Sequence, residues 1–309
     1  MADCKSNFAV RFLLSHSAGC AYYNIALDFD GGMILEAKKI FVLGGDKRSE
    51  YIAGYFAGKG YEVAGFGVGN YNENPDEIKN ADIIVLGLPA IKDNFVNMPF
   101  SEDKITFTKL LKKCSKGSVV AGGRFKSEDY LLAQKAGVVL WDYSEDEIFK
   151  SENAFYTAEG IVKHIVENTQ RSVAHLGILV TGYGRISREL CRLLSVWPCS
   201  LTVYARKELA RSHCGFQGIN TISELDNLSG YDVIVNTVPA DIFTEYIIST
   251  VKKDALILDV SARPGFVNKE MCAHYGVKLL YLPGIPLTSA PQSAGITAAK
   301  AIERFTEGN

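Results

Sequence analysis

One short segment restricts the fold of this chain more than any other: residues 178–190 read ILVTGYGRISREL. The apolar run GILVT leads directly into Gly182-Tyr183-Gly184, and the helix-forming stretch SRELCRLL follows. In such a strand–turn–helix unit, the first glycine permits a tight turn, the second lets a pyrophosphate approach the backbone, and the helix N-terminus attracts its charge. Ser187 replaces the third glycine and is small enough for close helix–strand packing. The segment therefore predicts a dinucleotide-binding βαβ unit.

Two halves of the chain share the same order of segments. Residues 38–67 read as an apolar run, a glycine-rich turn, a helical stretch and a second strand, and residues 176–207 repeat that order. Farther along, ADIIVLGLPA (81–90) corresponds to YDVIVNTVPA (231–240). Continuous β-branched runs bounded by glycine or proline are typical of strands buried on both faces of a parallel sheet. We therefore expect an α/β protein with two doubly wound parallel-sheet domains and an interdomain cleft.

The sequence patterns divide the chain into five segments. They are an N-terminal extension without an assigned role, 1–37; a flavodoxin-like substrate and catalytic domain, 38–150; a linker helix, 151–171; a Rossmann NADP-binding domain, 172–290; and a C-terminal helix, 291–309. In the linker, Ser151 is a residue type that caps helix N-termini. Ile161, Ile165 and Val166 supply the apolar stripe of a packed helix.

The end of the second strand of the Rossmann domain indicates which dinucleotide is bound. NAD-specific domains carry an acidic residue there, which binds the ribose 2′-hydroxyl and repels a 2′-phosphate. This chain has Ala205-Arg206-Lys207 instead. A guanidinium binds a phosphate through two parallel hydrogen bonds and a lysine adds a point charge, so we predict NADP(H). The alternative is that Arg206 and Lys207 are two solvated surface cations.

Two further strand ends complete the predicted cofactor site. Thr237-Val238-Pro239 ends the fourth strand of this domain and is expected to line the nicotinamide ribose, and Asp259-Val260-Ser261 ends the fifth strand, nearer the ring. In the first domain, the glycines of LGGDKRS are adjacent, so no dinucleotide is expected there. The predicted cofactor-binding residues are Gly182, Tyr183, Gly184, Arg185, Ile186, Ala205, Arg206, Lys207, Thr237, Val238, Pro239, Asp259, Val260 and Ser261.

Composition excludes several other classes of function. The formal net charge of -2 gives no bulk field for nucleic acid or an anionic membrane, and no apolar run reaches the length of a spanning helix. Seven cysteines without C-x-x-C spacing favour neither a disulfide framework nor a zinc site, so no metal is expected. Cys191 is expected to be a buried structural thiol.

Several motifs in combination resemble those of one known family. They are IFVLGGDKR (40–48), NAFYTAEG (153–160), GYGR (182–185) followed by ARK (205–207), LDVSARPG (258–265) and PGIPLTSAPQSAG (283–295). From Lys38 to the C-terminus the chain resembles the A-type component of bacterial dipicolinate synthase, a family related to D-2-hydroxyacid and alanine dehydrogenases. It departs from the family's usual pattern at Phe155-Tyr156 and Gly265-Phe266.

The resemblance implies a reaction, a partner and a location. The A-type component would act with a flavoprotein-like B-type component of dipicolinate synthase to oxidise dihydrodipicolinate, an intermediate of the diaminopimelate pathway, to pyridine-2,6-dicarboxylate, with NADP+ as the hydride acceptor. Because the product loads endospores with calcium, the expected location is the mother-cell cytoplasm of a sporulating bacterium. Related architectures often dimerise through the cofactor domain, so a homodimer is a further expectation. Neither nucleic acid nor membrane is an expected partner.

A planar dicarboxylate needs a cation at each end, and arginine suits carboxylates best. Arg263 follows the fifth strand of the Rossmann domain, and Arg48 follows the first strand of the other domain. These two are the first choices as substrate ligands, and Arg124 in GGRF is the third. Asp46, in the loop of Arg48, is a candidate base, but an aspartate after two glycines equally suits a structural turn. A solvated or structural arginine is the alternative for each of the three.

Three other activities compete with this interpretation. A D-2-hydroxyacid dehydrogenase has the same two-domain plan, but its acid/base histidine is missing from PGIPLTSAPQSAG. An alanine dehydrogenase-like enzyme is a weaker alternative. A non-catalytic component that binds NADP(H) to regulate a partner is compatible with the sequence, because no acid/base residue is unambiguous.

Overall fold

The structure is a computed structural model that describes residues 25–27, 33–35, 38–261 and 265–308. Its contacts divide the chain into two compact units. Unit 1 contains the described residues up to Lys150 and those from Pro291 onward, and unit 2 contains Ser151–Ala290. Most of the expected N-terminal extension lies outside the described residues.

Up to residue 146, the described strands are β1 (Ile25–Leu27), β2 (Met33–Leu35), β3 (Lys39–Leu43), β4 (Glu62–Val68), β5 (Tyr71–Asn72), β6 (Ile83–Val85), β7 (Ile91–Lys92), β8 (Phe95–Val96), β9 (Val119–Gly122) and β10 (Val139–Asp142). The α-helices of this part are α1 (Lys47–Gly58), α2 (Phe107–Lys113) and α3 (Ser127–Ala136). Two antiparallel pairs, β1 with β2 and β7 with β8, lie apart from the main sheet.

From residue 147 onward, the described helices are α4 (Glu147–Asn168), α5 (Arg185–Leu194), α6 (Glu208–Phe216), α7 (Glu245–Thr250), α8 (Lys269–His274), α9 (Pro286–Ser289) and α10 (Pro291–Gly308). The strands of this part are β11 (Gly177–Thr181), β12 (Ser200–Tyr204), β13 (Asn220–Ile222), β14 (Val233–Asn236), β15 (Leu256–Asp259) and β16 (Lys278–Tyr281).

The main sheet of unit 1 has the order β10-β9-β6-β3-β4-β5. All neighbours are parallel except the edge pair of β4 and β5. The five parallel strands follow the flavodoxin-like order, in which the first strand lies between the second and the third. Phe41 and Leu43 point into one hydrophobic cluster, and Ile40 and Val42 point into another. Burial of both faces explains the uninterrupted apolar run of this strand.

The sheet of unit 2 is entirely parallel and has the order β13-β12-β11-β14-β15-β16. This is the 3-2-1-4-5-6 order of the Rossmann fold. Ile178 and Val180 pack on one side of the sheet, and Leu179 packs on the other. The predicted fold class, α/β with doubly wound parallel-sheet domains, is confirmed.

The long helix α4 differs from its prediction in two respects. It begins at Glu147 rather than after Ser151, because Asp146 accepts a hydrogen bond from the backbone N–H of Phe149 (2.7 Å) and so caps the first turn. Ile161 and Ile165 are fully buried as expected, but Val166 is 55% exposed. Residues four apart share a helix face, and the next residue turns about 100° away from it.

The C-terminal helix α10 belongs to unit 1 and packs closely on α1. At Gly295, a Cβ atom would lie 2.6 Å from the carbonyl oxygen of Arg48, so only glycine fits there. Phe305 of the same helix stacks on Trp141 with a centroid distance of 4.6 Å. Among the described residues, none of the helices combines the length and the apolar character that crossing a membrane requires.

Candidate functional site

The glycine turn after β11 has the geometry that a phosphate site needs. Gly182 has φ of +85°, a conformation that only glycine adopts without strain. Gly184 is the N-cap of α5 and offers no side chain to the first N–H groups of the helix. A Cβ atom at Gly184 would meet no other atom within 4 Å. The turn therefore leaves space beside free N–H donors at the positive end of the helix.

A chain of hydroxyl groups holds α5 against the ends of β11 and β14. Ser187 is completely buried, and its Oγ lies 2.8 Å from Oγ1 of Thr237. The Thr237 hydroxyl donates to the carbonyl of Thr181 (2.7 Å), so Ser187 is the donor in its bond with Thr237. The expected small residue is thus present, and it adds a polar link that a third glycine would lack.

Buried polar side chains join the ends of β14 and β15. Asn236 accepts from the hydroxyl of Thr181 (2.7 Å) and donates to Oδ1 of Asp259 (3.0 Å). Asp259 is 1% exposed and also accepts from Ser261, through its backbone N–H (3.1 Å) and its hydroxyl (2.6 Å). The carboxylate of Asp259 is therefore directed into unit 2, where it orders the loop that follows β15. Asn236 was not singled out in the sequence.

The remaining predicted residues of this site lie around the same edge. Val260 is half-buried and Ser261 is buried. Tyr183 donates its hydroxyl to the side chain of Gln217 (3.1 Å), and the guanidinium of Arg188 lies 5.5 Å from its ring centroid. The others are half-buried (Ile186, Thr237 and Val238) or exposed (Arg185 and Pro239).

The predicted 2′-phosphate residues are available to a ligand. Arg206 and Lys207 are exposed, and within the described residues neither makes a hydrogen bond or an ion pair through its side chain. Ala205, just before them, is buried. Arg211 on α6 donates from Nη1 to the carbonyls of Ala205 and Arg206, each at 2.7 Å, and so fixes the turn. Sequence reasoning missed Arg211, since only the helical path of α6 turns it back toward this turn.

In unit 1, Asp46 and Arg48 form a buried ion pair. Asp46 caps α1, and Arg48 donates to it through the backbone N–H (3.0 Å), Nε (2.8 Å) and Nη2 (2.5 Å). Nη2 also donates to the carbonyl of Leu88 (2.8 Å). Burial opposes the charged guanidinium, but the hydrogen bonds and the charge of Asp46 outweigh it, and the pKa of Arg48 is raised.

The space beside this ion pair is small. A cavity of about 10 Å³, lined by Asp46, Arg48, Tyr143 and apolar residues, has room for about one water molecule. Gly45 and Gly87 pack backbone to backbone, since a Cβ atom at Gly87 would lie 2.6 Å from Cα of Gly45. A dicarboxylate does not fit between these residues.

Arg124, the third predicted substrate ligand, has different surroundings. It follows β9, is exposed, and has φ of +61°. No hydrogen bond or ion pair involves its guanidinium within the described part of the chain. Arg263, like its neighbours Ala262 and Pro264, lies outside the described residues.

Other reactive side chains of the described residues do not form a second centre. No three His, Cys, Asp or Glu side chains among them are grouped as metal ligands. Cys191 is fully buried as expected, and burial raises the pKa of its thiol to about 12. It therefore stays protonated at neutral pH.

Comparisons with known proteins agree with the motifs. Residues 39–144 match the family model of the N-terminal domain of the dipicolinate synthase A-type component. The corresponding protein of Bacillus subtilis (strain 168) is 26% identical over 288 residues, covering 88% of this chain and 97% of that protein. The crystal structure of the A-type component of dipicolinate synthase from Bacillus halodurans has a TM-score of 0.78 and 21% identity, covering 87% of this chain and 97% of that one.

A more distant structure shares the fold. The structure of a Salmonella D-lactate dehydrogenase has a TM-score of 0.59 and 13% identity, covering 88% of this chain and 98% of that one. At this identity the likeness concerns the fold alone. The resemblance to the A-type component of dipicolinate synthase predicted from the motifs is confirmed, and the neighbours with the same fold include D-2-hydroxyacid dehydrogenases.

Proposed function

We propose that this chain, which resembles the A-type component of dipicolinate synthase over most of its length, oxidises dihydrodipicolinate to pyridine-2,6-dicarboxylate. It would do so with NADP+ and a separate B-type component, in the mother-cell cytoplasm of a sporulating bacterium. The observation that carries the proposal is the glycine turn at Gly184, where open space adjoins an uncapped helix N-terminus. Such a turn in the 3-2-1-4-5-6 sheet is a dinucleotide site.

The residues of this turn fit the cofactor. A pyrophosphate needs close approach to the backbone and free N–H donors, and Gly184 and the first turn of α5 provide both. Bound there, NADP+ would supply the hydride-accepting chemistry. Ser187 and Thr237 keep the helix in position through their hydroxyl link.

The phosphorylated cofactor is favoured by the cations at the end of β12. The side chains of Arg206 and Lys207 have no partner within the described residues, so their charge is available to a 2′-phosphate. Arg211 holds the carbonyls of Ala205 and Arg206 and so orients this turn. An acidic residue, which would select the free 2′-hydroxyl, does not follow β12 directly.

The substrate carboxylates require cations, and the candidates differ in what they offer. Arg263 remains the proposed ligand of unit 2 on the sequence pattern alone. In unit 1, Arg48 donates to Asp46 and to Leu88 and is largely enclosed, whereas Arg124 is exposed and uncommitted. With both its oxygens bound by Arg48, Asp46 is also a poor proton acceptor. This geometry favours Arg124 as the ligand of unit 1.

A nucleotide titration of the purified chain tests the cofactor assignment. We expect NADP(H) to bind at least about tenfold more tightly than NAD(H), because a 2′-phosphate gains charge-assisted hydrogen bonds. Arg206→Asp should remove that preference, and Lys253→Asp, an equal change of charge at an exposed site, should retain it. Equal affinities of wild type for both nucleotides would contradict the proposal.

The reaction itself is tested with dihydrodipicolinate, NADP+ and the chain, with and without the B-type component. Absorbance of NADPH reports turnover. Turnover by the chain alone identifies an enzyme complete in one polypeptide, and turnover only in the mixture identifies a shared activity. Cofactor binding without turnover under either condition would instead support the non-catalytic alternative and would overturn the proposed reaction.

A further inference from the structure

Arg124 combines an unfavourable backbone conformation with an unused side chain. Its φ of +61° lies in the left-handed region, which a bulky residue occupies at a cost. Its guanidinium is exposed and makes no hydrogen bond or ion pair within the described residues. No contact of this side chain inside unit 1 therefore offsets the strain. Strained residues of this kind are concentrated at ligand sites, where the surrounding structure holds them in place.

The surroundings of Arg124 do hold its backbone firmly. Asp142, the last residue of β10, is buried and accepts from the backbone N–H of Phe125 at 3.0 Å. Its other oxygen accepts from Ser144, through the backbone N–H (2.8 Å) and the hydroxyl (2.6 Å). The Ser144 hydroxyl in turn accepts from the N–H of Arg124 at 3.3 Å. Asp142 and Ser144 thus fix the backbone on both sides of the Arg124 carbonyl.

The preceding glycines anchor the same loop to the neighbouring strand. Gly123 donates to the carbonyl of Gly87 (3.1 Å), and Ala90 donates to the carbonyl of Gly123 (2.8 Å). A Cβ atom at Gly123 would lie 2.3 Å from Cδ1 of Leu88, and one at Gly122 would lie 2.7 Å from Cβ of Ala90. The loops after β6 and β9 are therefore packed together as one rigid platform.

Unit 2 contains the same device at the end of β15. Asp259 is the last residue of that strand and accepts the N–H and hydroxyl of Ser261, two residues later, as Asp142 does with Ser144. Its other oxygen accepts from the backbone N–H of Phe266 (2.8 Å). In the sequence, both Asp-x-Ser turns serve loops that carry one candidate arginine, Arg124 or Arg263, shortly before a phenylalanine.

We propose that Arg124 is the unit 1 ligand for a carboxylate of the substrate, and that Asp142 and Ser144 are positioning residues that hold it for this task. The inference rests on the proposed function and specifies which cation of unit 1 binds the dicarboxylate. Arg124 lies just beyond the carboxyl end of β9, the edge of a parallel sheet where ligands bind. A guanidinium whose backbone is already fixed loses little freedom when it binds a planar carboxylate.

The test measures binding of pyridine-2,6-dicarboxylate, turnover with the B-type component, and the melting temperature in variants of Arg124. Arg124→Gly should weaken dicarboxylate binding about 10- to 100-fold, the range for losing a charged hydrogen-bonding group. NADP+ affinity should stay within about twofold, and the melting temperature should stay equal or rise, because glycine adopts this φ freely. Arg124→Lys should restore part of the affinity.

A matched control is available at another residue with positive φ. Asp93, with φ of +51°, lies in the turn between β7 and β8. Asp93→Gly relieves the same kind of strain and should leave dicarboxylate binding and turnover unchanged. If Arg124→Gly behaves like Asp93→Gly while wild type binds and turns over, the inference is wrong and the proposed function stands. If wild type neither binds the dicarboxylate nor turns over, both fail.

The positioning role has its own readout. Ser144→Ala should raise KM for dihydrodipicolinate about threefold with little change in kcat, because one bond to the Arg124 backbone is lost. Ser144→Thr keeps the hydroxyl and should restore KM. In an Arg124→Gly background, Ser144→Ala should have no further effect on KM. An unchanged effect in that background would show that Ser144 acts independently of Arg124 and would overturn its positioning role.

Discussion

The two units begin with the same strand–turn–helix plan, but they use the helix N-terminus in opposite ways. In unit 1, Asp46 caps α1 with its own carboxylate, and Arg48 binds both oxygens of that carboxylate. In unit 2, the N-cap of α5 is Gly184, which leaves the helix N–H groups without a side-chain partner. The positive end of a helix favours an anion in either case. Unit 1 supplies that anion itself, and unit 2 has room for the phosphate of a ligand.

A single position accounts for this difference. Aligned from the last residue of each first strand, Leu43-Gly44-Gly45-Asp46 corresponds to Thr181-Gly182-Tyr183-Gly184. Gly44 and Gly182 both have positive φ, so the two turns begin alike. Two residues later, the carboxylate of Asp46 stands where Gly184 has no side chain. Adjacent glycines followed by an aspartate therefore mark a closed helix N-terminus, and the G-x-G pattern marks an open one.

The largest expected effect comes from breaking the closed N-terminus. Arg48→Met should lower the free energy of unfolding of unit 1 by about 3–5 kcal/mol, because it leaves the carboxylate of Asp46 buried without its counter-charge. The double variant Asp46→Asn/Arg48→Met should recover part of that loss. Urea unfolding followed by the fluorescence of Trp141, in a Trp197→Phe background, reports on unit 1 alone. Unchanged stability together with lost dicarboxylate affinity would restore Arg48 as a substrate ligand.

The converse change closes the open N-terminus. Gly184→Asp gives α5 its own capping carboxylate, in an extended conformation (φ -85°, ψ -166°) that any residue adopts. We expect NADP+ to bind about 100-fold more weakly, because a second anion now occupies the phosphate position, and unit 2 to gain a few tenths of a kcal/mol. Fluorescence titration and thermal unfolding measure the two effects. Gly184→Ala, without the charge, should lie between wild type and Gly184→Asp in affinity.

Much of this comparison could be read from the sequence, because it depends on local patterns. GILVT indicated the strand at 177–181, and the glycine spacing separated the unit with a dinucleotide site from the unit without one. Continuous apolar runs indicated parallel strands buried on both faces. The start of α4 was misplaced because Asp146 stands in an acidic run, where capping and solvated carboxylates have the same composition.

The contacts that pattern reasoning could not supply join residues of neighbouring strands or turns. Asp142 binds the backbone of Phe125 because β10 pairs with β9, and the sequence does not state that pairing. Whether Arg48 faces a ligand or its own Asp46 depends on side-chain direction and not on spacing. Thus GGDKR and GGRF both suggested a substrate arginine, and only the geometry distinguishes an enclosed guanidinium from an exposed one.

The smallest expected effect concerns Arg211, which acts on the cations of the open unit through the backbone. Arg211→Met removes the bonds from Nη1 to the carbonyls of Ala205 and Arg206 and loosens the turn that carries Arg206 and Lys207. NADP+ should bind about three- to fivefold more weakly, a loss near ~1 kcal/mol, and NAD+ should be unaffected because it lacks the 2′-phosphate.

The same titration with Arg211→Met, Arg206→Ala and the double variant separates positioning from direct contact. If Arg211 acts by orienting Arg206, the double variant should lose less NADP+ affinity than the sum of the single losses, since only one pathway to the phosphate is removed twice. Strictly additive losses would mean that Arg211 binds the phosphate itself through its remaining N–H groups. Equal weakening of NAD+ and NADP+ would place its contribution in the stability of unit 2 instead, and the selectivity would then rest on Arg206 and Lys207 alone.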